Sequence, residues 1–504
     1  MQKVLIANRG EIAVRVIRAC REQGLRPVAV YSEADATALH VRRAAEAYRL
    51  GPPAAAASYL DQEKVLAVAD RSGADAIHPG YGFLSENADF AEAVREAGFT
   101  WIGPPPEAIR KMGDKTAARA LMQDAGVPMA PGTTDAIADA GEAVRVASGI
   151  GFPVLVKAAA GGGGKGMRIV REAGALEGAV ERAQSEAESA FGDGRVFVEK
   201  YIEAPRHIEF QILADRHGHT THLFERECSI QRRHQKVIEE APSSVLSPKK
   251  RREMGEAAVA AAEAVGYENA GTVEFLVDAE LDFYFMEMNT RLQVEHPTTE
   301  MVTGIDLVAE QLRVARGEEL GYAADDLSID GHAVECRVYA EDPAQQFLPD
   351  PGELVRHAPP DGPGVRTDAG VEEGETIPVH YDPMISKLVC WGASREAAIQ
   401  RTERALAEYE VAGVETTIPF CRYAMRHAAF RSGDFSTHFV EEHFDPARLF
   451  EGGEGPQAAR DAAVAAVLFR AAQEPDALDE DDGPRRAGGG ASSQRSRWVE
   501  RRRR

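Results

Sequence analysis

The chain has 504 residues, 44% hydrophobic and 28% charged, with 81 acidic against 58 basic side chains and a formal net charge of −23. That length implies about three domains and a core that needs no disulfide or metal to fold. The acidic balance argues against nucleic-acid binding through phosphates, and no apolar run approaches the roughly 20 residues of a membrane span.

The N-terminus runs straight into a strand-like segment, Val4-Leu5-Ile6-Ala7, with no signal-peptide pattern. Asn8-Arg9-Gly10 breaks it, and Ile12, Val16, Ile17 and Cys20 then recur at helical spacing. Pro27–Tyr31, Ala74–His78 and Thr100–Gly103 read as further strands. Strands alternating with helical stretches predict a parallel, doubly wound sheet over residues 1–112. The GxGxxG dinucleotide fingerprint is absent after the first strand. Residues 113–316 concentrate glycine, charge and paired strands, and 331–445 open on a β-rich stretch, His332–Tyr339, with a helix predicted over Arg395–Tyr409. The tail at 446–504 holds an alanine-rich helical stretch (Ala458–Gln473) and low-complexity segments that read as disordered. The five cysteines form no CxxC pair, which argues against a disulfide framework or zinc site and for a reducing compartment.

The chemistry concentrates in the middle. Lys157 precedes Gly161-Gly162-Gly163-Gly164-Lys165-Gly166, after a Val154–Val156 strand. Consecutive glycines let backbone N–H groups approach phosphate oxygens, although a flexible surface loop would look the same. Gly271–Val277 and Asp282–Asn289 read as a hairpin turning near Glu280-Leu281, which places Glu274 opposite Glu287, with Asn289 on the same face as Glu287. Facing carboxylates are destabilising unless a cation lies between them; two carboxylates and an amide are hard ligands suited to Mg²⁺. If the next segment is extended, Arg291, Gln293 and Glu295 share one face, and a cation, an amide and a carboxylate there could hold a small planar oxyanion and take its proton. Glu225–Pro242 mixes charges too densely for a packed core, so composition alone reads it as a solvated strand, with Gln231, His234 and Lys236 able to donate to phosphate or ribose. Lys115 and Lys157 would be plain surface lysines by base rate.

These residues together resemble biotin carboxylase, the ATP-grasp component of biotin-dependent carboxylases, over residues 1 to about 445. The resemblance is carried by KVLIANRGEIAVRVIRAC at the start, HPGYGFLSEN at 78–87, GGGGKGMR at 161–168, EKYIEAPRHIEFQ at 199–211, ERECSIQRRHQKVIEEAP at 225–242 and MEMNTRLQVEHPTTEMVTGIDLV at 286–308. It implies a Rossmann-like N-terminal domain, a central ATP-grasp domain with a mobile lid at about 130–204, and a β-rich C-terminal domain. It implies ATP contacts at Lys115, Lys157, His207, Gln231, His234 and Leu276, adenine recognition near Glu199, Lys200 and Ile202, and a phosphate lid at Gly163 and Gly164. Glu274, Glu287 and Asn289 would hold Mg²⁺ or Mn²⁺. Lys236, Arg291, Gln293 and the Val294 amide would cradle bicarbonate, with Glu295 as general base. Arg337 would stabilise the biotin enolate, with Tyr81 and Glu86 at the edge of the biotin site. The cofactors implied are ATP, Mg²⁺ and, as substrate, biotin. No Ala-Met-Lys-Met-like site occurs, so the biotin is expected on a separate biotin carboxyl carrier protein. A separate carboxyltransferase subunit is expected too, with this chain a cytoplasmic homodimer. The complex expected is an acetyl- or propionyl-CoA carboxylase; a pyruvate carboxylase component or another ATP-grasp ligase is the alternative.

Overall fold

The structure, a computed structural model, describes residues 1–133, 136–137, 140–158 and 167–449. The glycine run with Gly163 and Gly164, and the expected helix at Ala458–Gln473, lie outside the described residues. Strand β1 (Lys3–Ile6) leads through the Asn8–Gly10 turn into helix α1 (Gly10–Glu22). With β2 (Arg26–Ser32), β3 (Glu46–Gly51), β4 (Ala76–His78) and β5 (Thr100–Trp101) it forms a five-stranded parallel sheet of order β3-β2-β1-β4-β5. Alternate side chains of β1 explain the layering. Val4 and Ile6 pack with Ile12, Val16 and Ile17 of α1, while Leu5 joins Val28, Val30 and Ile77 on the other face. Strand β3 was not expected from sequence. It is an edge strand of mixed polarity in which only Leu50 is buried, so no apolar run marks it.

A three-stranded sheet follows, β6 (Val154–Ala158), β7 (Arg168–Val170) and β8 (Val196–Lys200), in order β7-β6-β8. With helices Ala140–Ile150 and Leu176–Phe191 it closes a small core of its own around Val154, Val156, Val180 and Val198.

The largest element begins with β9 (Arg206–Ala214), β10 (Thr220–Arg232), β11 (Gln235–Ala241), β12 (Asn269–Val277), β13 (Phe283–Asn289) and β14 (His332–Tyr339). Short strands β15 (Glu341–Asp342), β16 (Leu348–Pro349) and β17 (Arg356–Ala358) precede β18 (Val365–Ala369) and β19 (Met384–Gly392), and β17 pairs with β20 (Glu410–Ala412). The eight-stranded antiparallel sheet runs β13-β12-β9-β10-β11-β14-β19-β18. It therefore carries the expected central hairpin and the expected β-rich stretch in one hydrogen-bonded surface. The helix expected over Arg395–Tyr409 is present as Arg395–Glu408, with Ser394 capping it by accepting from the Ala397 N–H. No helix among the described residues is long and apolar enough to cross a membrane, and all five cysteines are free and buried.

Candidate active site

Strand β9 alternates cleanly. Ile208, Phe210 and Ile212 enter an apolar core with Val273, Phe275 and Val277 of β12, so His207, Glu209 and Gln211 face the other way. Register then aligns Arg226, Glu209, Glu274 and Glu287 in one row across β10, β9, β12 and β13. The expected pairing of Glu274 with Glu287 is present. Beside it, Phe275 pairs with Phe285, leaving Met286 as an extra residue in a β-bulge.

Three carboxylates in a row need cations, and two are built in. Arg226 is 0% exposed and donates to Glu209 Oε1 (2.6 Å), Gln211 Oε1 (2.7 Å), Thr299 Oγ1 (2.9 Å) and Thr272 Oγ1 (3.2 Å). The Lys236 ammonium reaches Glu209 Oε2, Glu274 Oε1 (2.8 Å) and Glu295 Oε1 (2.6 Å). The reading of Glu225–Pro242 as a solvated strand is thus wrong. Glu225, Arg226, Glu227, Glu239 and Glu240 are all buried. Each charge has an opposite charge or a donor beside it: Arg251 for Glu225, Ser229 and Ser243 for Glu227, Arg337 for Glu239, His332 and Arg395 for Glu240. Dense mixed charge can be buried when it is paired internally.

The 290–295 segment is not extended either. It bends at Thr290 and Arg291, and Glu295 sits at the start of helix His296–Thr303 with φ −80° and ψ 9°. The turn still gathers the expected groups. Arg291 donates to Glu86 Oε2 (3.0 Å), Gln293 Oε1 (2.7 Å) and Asn289 Oδ1 (2.9 Å), and Gln293 Nε2 donates to Glu274 Oε1 (2.8 Å). Glu295 is 0% exposed, with Lys236 on one oxygen and Arg337 Nη2 (3.0 Å) on the other. Burial pushes its pKa up, but Lys236, Arg337 and Arg226 outweigh this and hold it well below the usual carboxylate range. Burial lowers the pKa of Lys236, but the carboxylates of Glu209, Glu274 and Glu295 outweigh it and hold the ammonium well above the ordinary lysine value. Glu274 is lowered by Lys236 and His207 against its own burial.

The charged layer opens on one cleft of about 2020 Å³. It is lined by Tyr81, Glu86, Lys157, Glu199, Lys200, Ile202, His207, Gln231, His234, Lys236, Glu274, Leu276, Glu287, Asn289, Arg291, Gln293, Val294 and Arg337. Glu295 lies just behind that wall, between Lys236 and Arg337. Lys115 begins helix Lys115–Asp124, and its side chain is outside the described residues. Lys157 pairs with Glu199, which also accepts from Arg119 Nη1 (2.9 Å). Gln231 donates to the ring of His207 (2.9 Å), which stands 3.1 Å from Glu274 Oε2. Arg233 and His234 form the two-residue tip of the β10–β11 hairpin, both at positive φ (47° and 67°). Tyr81 is placed by the Pro79–Gly82 turn, where Asn8 donates to the Pro79 and Tyr81 carbonyls (2.7 Å each). Gly80 sits there at φ +64°, and a Cβ would come within 2.9 Å of Asn8.

Three residues of the site escaped the sequence reading: Glu209, Arg119 and Lys387. Glu209 was legible as a polar residue alternating with Ile208 and Phe210. Lys387 is a lone lysine within the apolar run of β19. Arg119 carries no signal in the sequence.

Glu274, Glu287 and Asn289 supply hard oxygen donors on the cleft wall, a set that fits Mg²⁺ or Mn²⁺. His207, Glu209 and Glu274 also bring their ligand atoms within 4.8 Å of one another. Glu209 already holds Arg226 on one oxygen and Lys236 on the other, so that group is an ion-pair cluster.

Known proteins share this sequence and fold. The biotin carboxylase N-terminal domain family matches residues 1–109, the ATP-binding domain of the carbamoyl-phosphate synthase L chain matches 114–323, and the biotin carboxylase C-terminal domain matches 335–442. A pyruvate carboxylase subunit of Methanothermobacter thermautotrophicus is 57% identical over 441 residues, covering 88% of this chain and 90% of that protein. Biotin carboxylase 1 of Bacillus subtilis is 54% identical over 444 residues, covering 88% and 99%. The propionyl-CoA carboxylase alpha chain of Ruegeria pomeroyi is 50% identical over 494 residues, covering 94% and 72%. Among solved structures, Campylobacter jejuni biotin carboxylase in a β,γ-ATP complex superposes with a TM-score of 0.85 at 46% identity, covering 88% and 99%. The biotin carboxylase domain dimer of Hydrogenobacter thermophilus 2-oxoglutarate carboxylase, with MgADP and bicarbonate, gives 0.84 at 48%, covering 89% and 98%. With these matches spanning its Rossmann-like, ATP-grasp and C-terminal parts, the chain belongs to the biotin carboxylase family and is an ATP-dependent carboxylating ligase.

Proposed function

We propose that this chain carboxylates biotin presented by a separate biotin carboxyl carrier protein, using bicarbonate and ATP and releasing ADP and phosphate. The observation that carries this reading is the buried Glu295 carboxylate held between Lys236 and Arg337, beside Arg291 and Gln293 and next to the Glu274–Glu287 wall.

Bicarbonate is a poor electrophile, so ATP activates it. Lys157, His207, Gln231 and His234 line the nucleotide side, with Lys115, Gly163 and Gly164 assigned there by resemblance; Glu199, Lys200, Ile202 and Leu276 frame the adenine. Lys236, Arg291, Gln293 and the Val294 amide hold bicarbonate. As the anion enters, Lys236 turns from Glu295 to a substrate oxygen, and the carboxylate regains basicity. Glu295 then takes the bicarbonate proton while the freed oxygen attacks the γ-phosphorus and ADP leaves. The product, carboxyphosphate, breaks to CO₂ and phosphate. Phosphate takes the biotin ureido proton, and Arg337 stabilises the enolate that attacks CO₂, its fixed charge suiting an oxyanion. Tyr81 and Glu86 border the biotin. Glu274, Glu287 and Asn289 would hold magnesium or manganese, which neutralises charge on the phosphoryl oxygens.

The division follows as a Rossmann-like domain at 1–112, an ATP-grasp domain at 113–316 and a C-terminal domain at 331–445, followed by a tail at 446–504. The separate core of the β7-β6-β8 sheet supports a lid at about 130–204. A homodimer and a separate carboxyltransferase subunit complete the assembly. The final acceptor is an acyl-CoA, acetyl or propionyl. The match to the propionyl-CoA carboxylase alpha chain supports this, because it covers 94% of the chain and so runs into the tail. A pyruvate system is the second reading, favoured by the 57% identity to the Methanothermobacter pyruvate carboxylase protein.

ADP release by the purified protein with Mg-ATP, bicarbonate and free biotin, each omitted in turn, tests the half-reaction. The expected result is release that requires bicarbonate and rises with biotin. Release stimulated instead by an amine or amino-acid acceptor, with biotin and a biotinylated carrier domain both inert, overturns it.

A further inference from the structure

Lys387 lies in β19 between Ser386 and Leu388, flanked across the ladder by Arg337 and Asp368, and its side chain is 0% exposed. A buried ammonium loses its hydration, and a methionine would fill nearly the same volume without that loss. Packing alone therefore does not account for a lysine here. Its Nζ donates to the Val294 carbonyl at 2.7 Å and lies 3.2 Å from Glu11 Oε1, at the first turn of α1. It also stands 5.9 Å over the centre of the Tyr81 ring. The carbonyl it grips belongs to the peptide that joins Val294 to Glu295. Fixing that plane fixes the backbone bond about which the Glu295 side chain is set.

Register adds a second grip. Lys387 is the direct cross-strand partner of Arg337 on β14, so both side chains leave the same sheet face. One ladder thus holds Glu295 twice: Arg337 takes its carboxylate at 3.0 Å, and Lys387 takes its preceding carbonyl.

We propose that Lys387 is a positioning residue for the carboxylation, clamping the Gln293–Glu295 turn so that the Glu295 carboxylate faces the bicarbonate site, with the Glu11 carboxyl and Asp368, the cross-strand neighbour of Lys387 on β18, as the acids beside the ammonium. The inference rests on the function proposed above, and bicarbonate-dependent ADP release by the unaltered protein tests that function separately.

The test uses three variants of the full chain: Lys387→Met, which removes the donor; Lys387→Gln, which keeps a donor without the charge; and the pair Glu11→Gln/Lys387→Met, which removes the ammonium together with the acid 3.2 Å from it and so guards against a simple folding failure. Mg-ATP affinity is measured by calorimetry alongside kcat and the bicarbonate KM. A turn displaced by about 1 Å costs on the order of 10²-fold in turnover. Lys387→Met and the double variant should therefore lose about that factor in kcat or bicarbonate kcat/KM while binding Mg-ATP as before, and Lys387→Gln should recover roughly tenfold of it. The proposal falls if Lys387→Met or the double variant turns over within threefold of the parent. It falls equally if Lys387→Gln is no better than Lys387→Met, or if Mg-ATP binding is lost in all three variants, since a plain structural role would give those results.

Discussion

The two large sheets solve burial in opposite ways. The parallel N-terminal sheet buries Val4, Leu5, Ile6, Val28 and Ile77, and neither of its two faces needs a specific partner. The eight-stranded sheet is apolar on one face; on the other Arg226, Glu209, Glu274 and Arg337 are buried, linked through Lys236 at the cleft and the buried Glu295 of the following turn. An apolar layer tolerates loss of one member by partial collapse around it. A charged layer is stable only as a set, because each deletion strands another charge out of water. The same property makes the second layer useful. In the reaction proposed above, its cations are already aimed and would need only to exchange a protein carboxylate for a substrate anion.

That contrast can be tested, and the largest effect expected is chemical. Glu295→Gln should cut bicarbonate-dependent ADP release by about 10³-fold while Mg-ATP still binds; near-normal release would remove Glu295 from the role of base. Next is stability. Arg226→Met leaves Glu209 buried without one of its two cations and should cost about 3–5 kcal/mol, whereas Ile6→Val in the parallel sheet should cost about 0.5–1.5 kcal/mol. Urea unfolding of the two variants measures the difference, and equal losses would erase the distinction between the layers.

A third effect depends on pH. Glu11 is pushed up to about 7 by burial, with Asp368 adding to the rise and Lys387 and Arg366 opposing it. The folded state thus holds a proton that the unfolded state gives up near pH 4.5, so this group's contribution is most favourable at low pH and is lost as pH rises towards about 7. Glu11→Gln should match the parent in denaturant midpoint at pH 5 and exceed it at pH 8; the same gap at both pH values would place the Glu11 titration elsewhere. The smallest effect belongs to the surface. Arg356 pairs with Glu373 and Glu410 in the open, and Arg356→Ala should leave the melting temperature where it is. A clear drop would show that exposed pairs matter here as well.

Much of this was legible before the structure. The alternation of strands and helices predicts the parallel sheet, and the Gly271–Asn289 hairpin places Glu274 against Glu287. Strand β3 was hidden because an edge strand with one buried residue has no apolar period to read. The charged layer was hidden for a different reason. Composition reports how many charges a segment holds, but pairing decides whether they can be buried, and the partners of Glu225 and Glu240 (Arg251, His332 and Arg395) lie far along the chain. The Arg291–Glu295 grouping was right in membership and wrong in cause, since a turn gathers those groups where an extended period of two was expected. Lys387 shows what a closer reading would have caught, because a single ammonium inside Met384–Gly392 has no apolar explanation.

The bulge at Met286 has a consequence of its own. Before it, Phe283 and Phe285 point into the apolar core; beyond it, Met288 does, and Glu287 and Asn289 look out over the cleft. An uninterrupted strand would have kept all the odd-numbered residues on one side and driven Glu287 and Asn289 in among the phenylalanines. The extra residue acts as a half-period phase shift, letting seven residues serve as core at one end and as an acidic wall at the other. Deleting Met286 would make Phe285 and Glu287 neighbours in a regular ladder and keep both faces, whereas flattening the bulge with Met286 retained would turn the strand's second half inside out, sending the carboxylate inward and Met288 out.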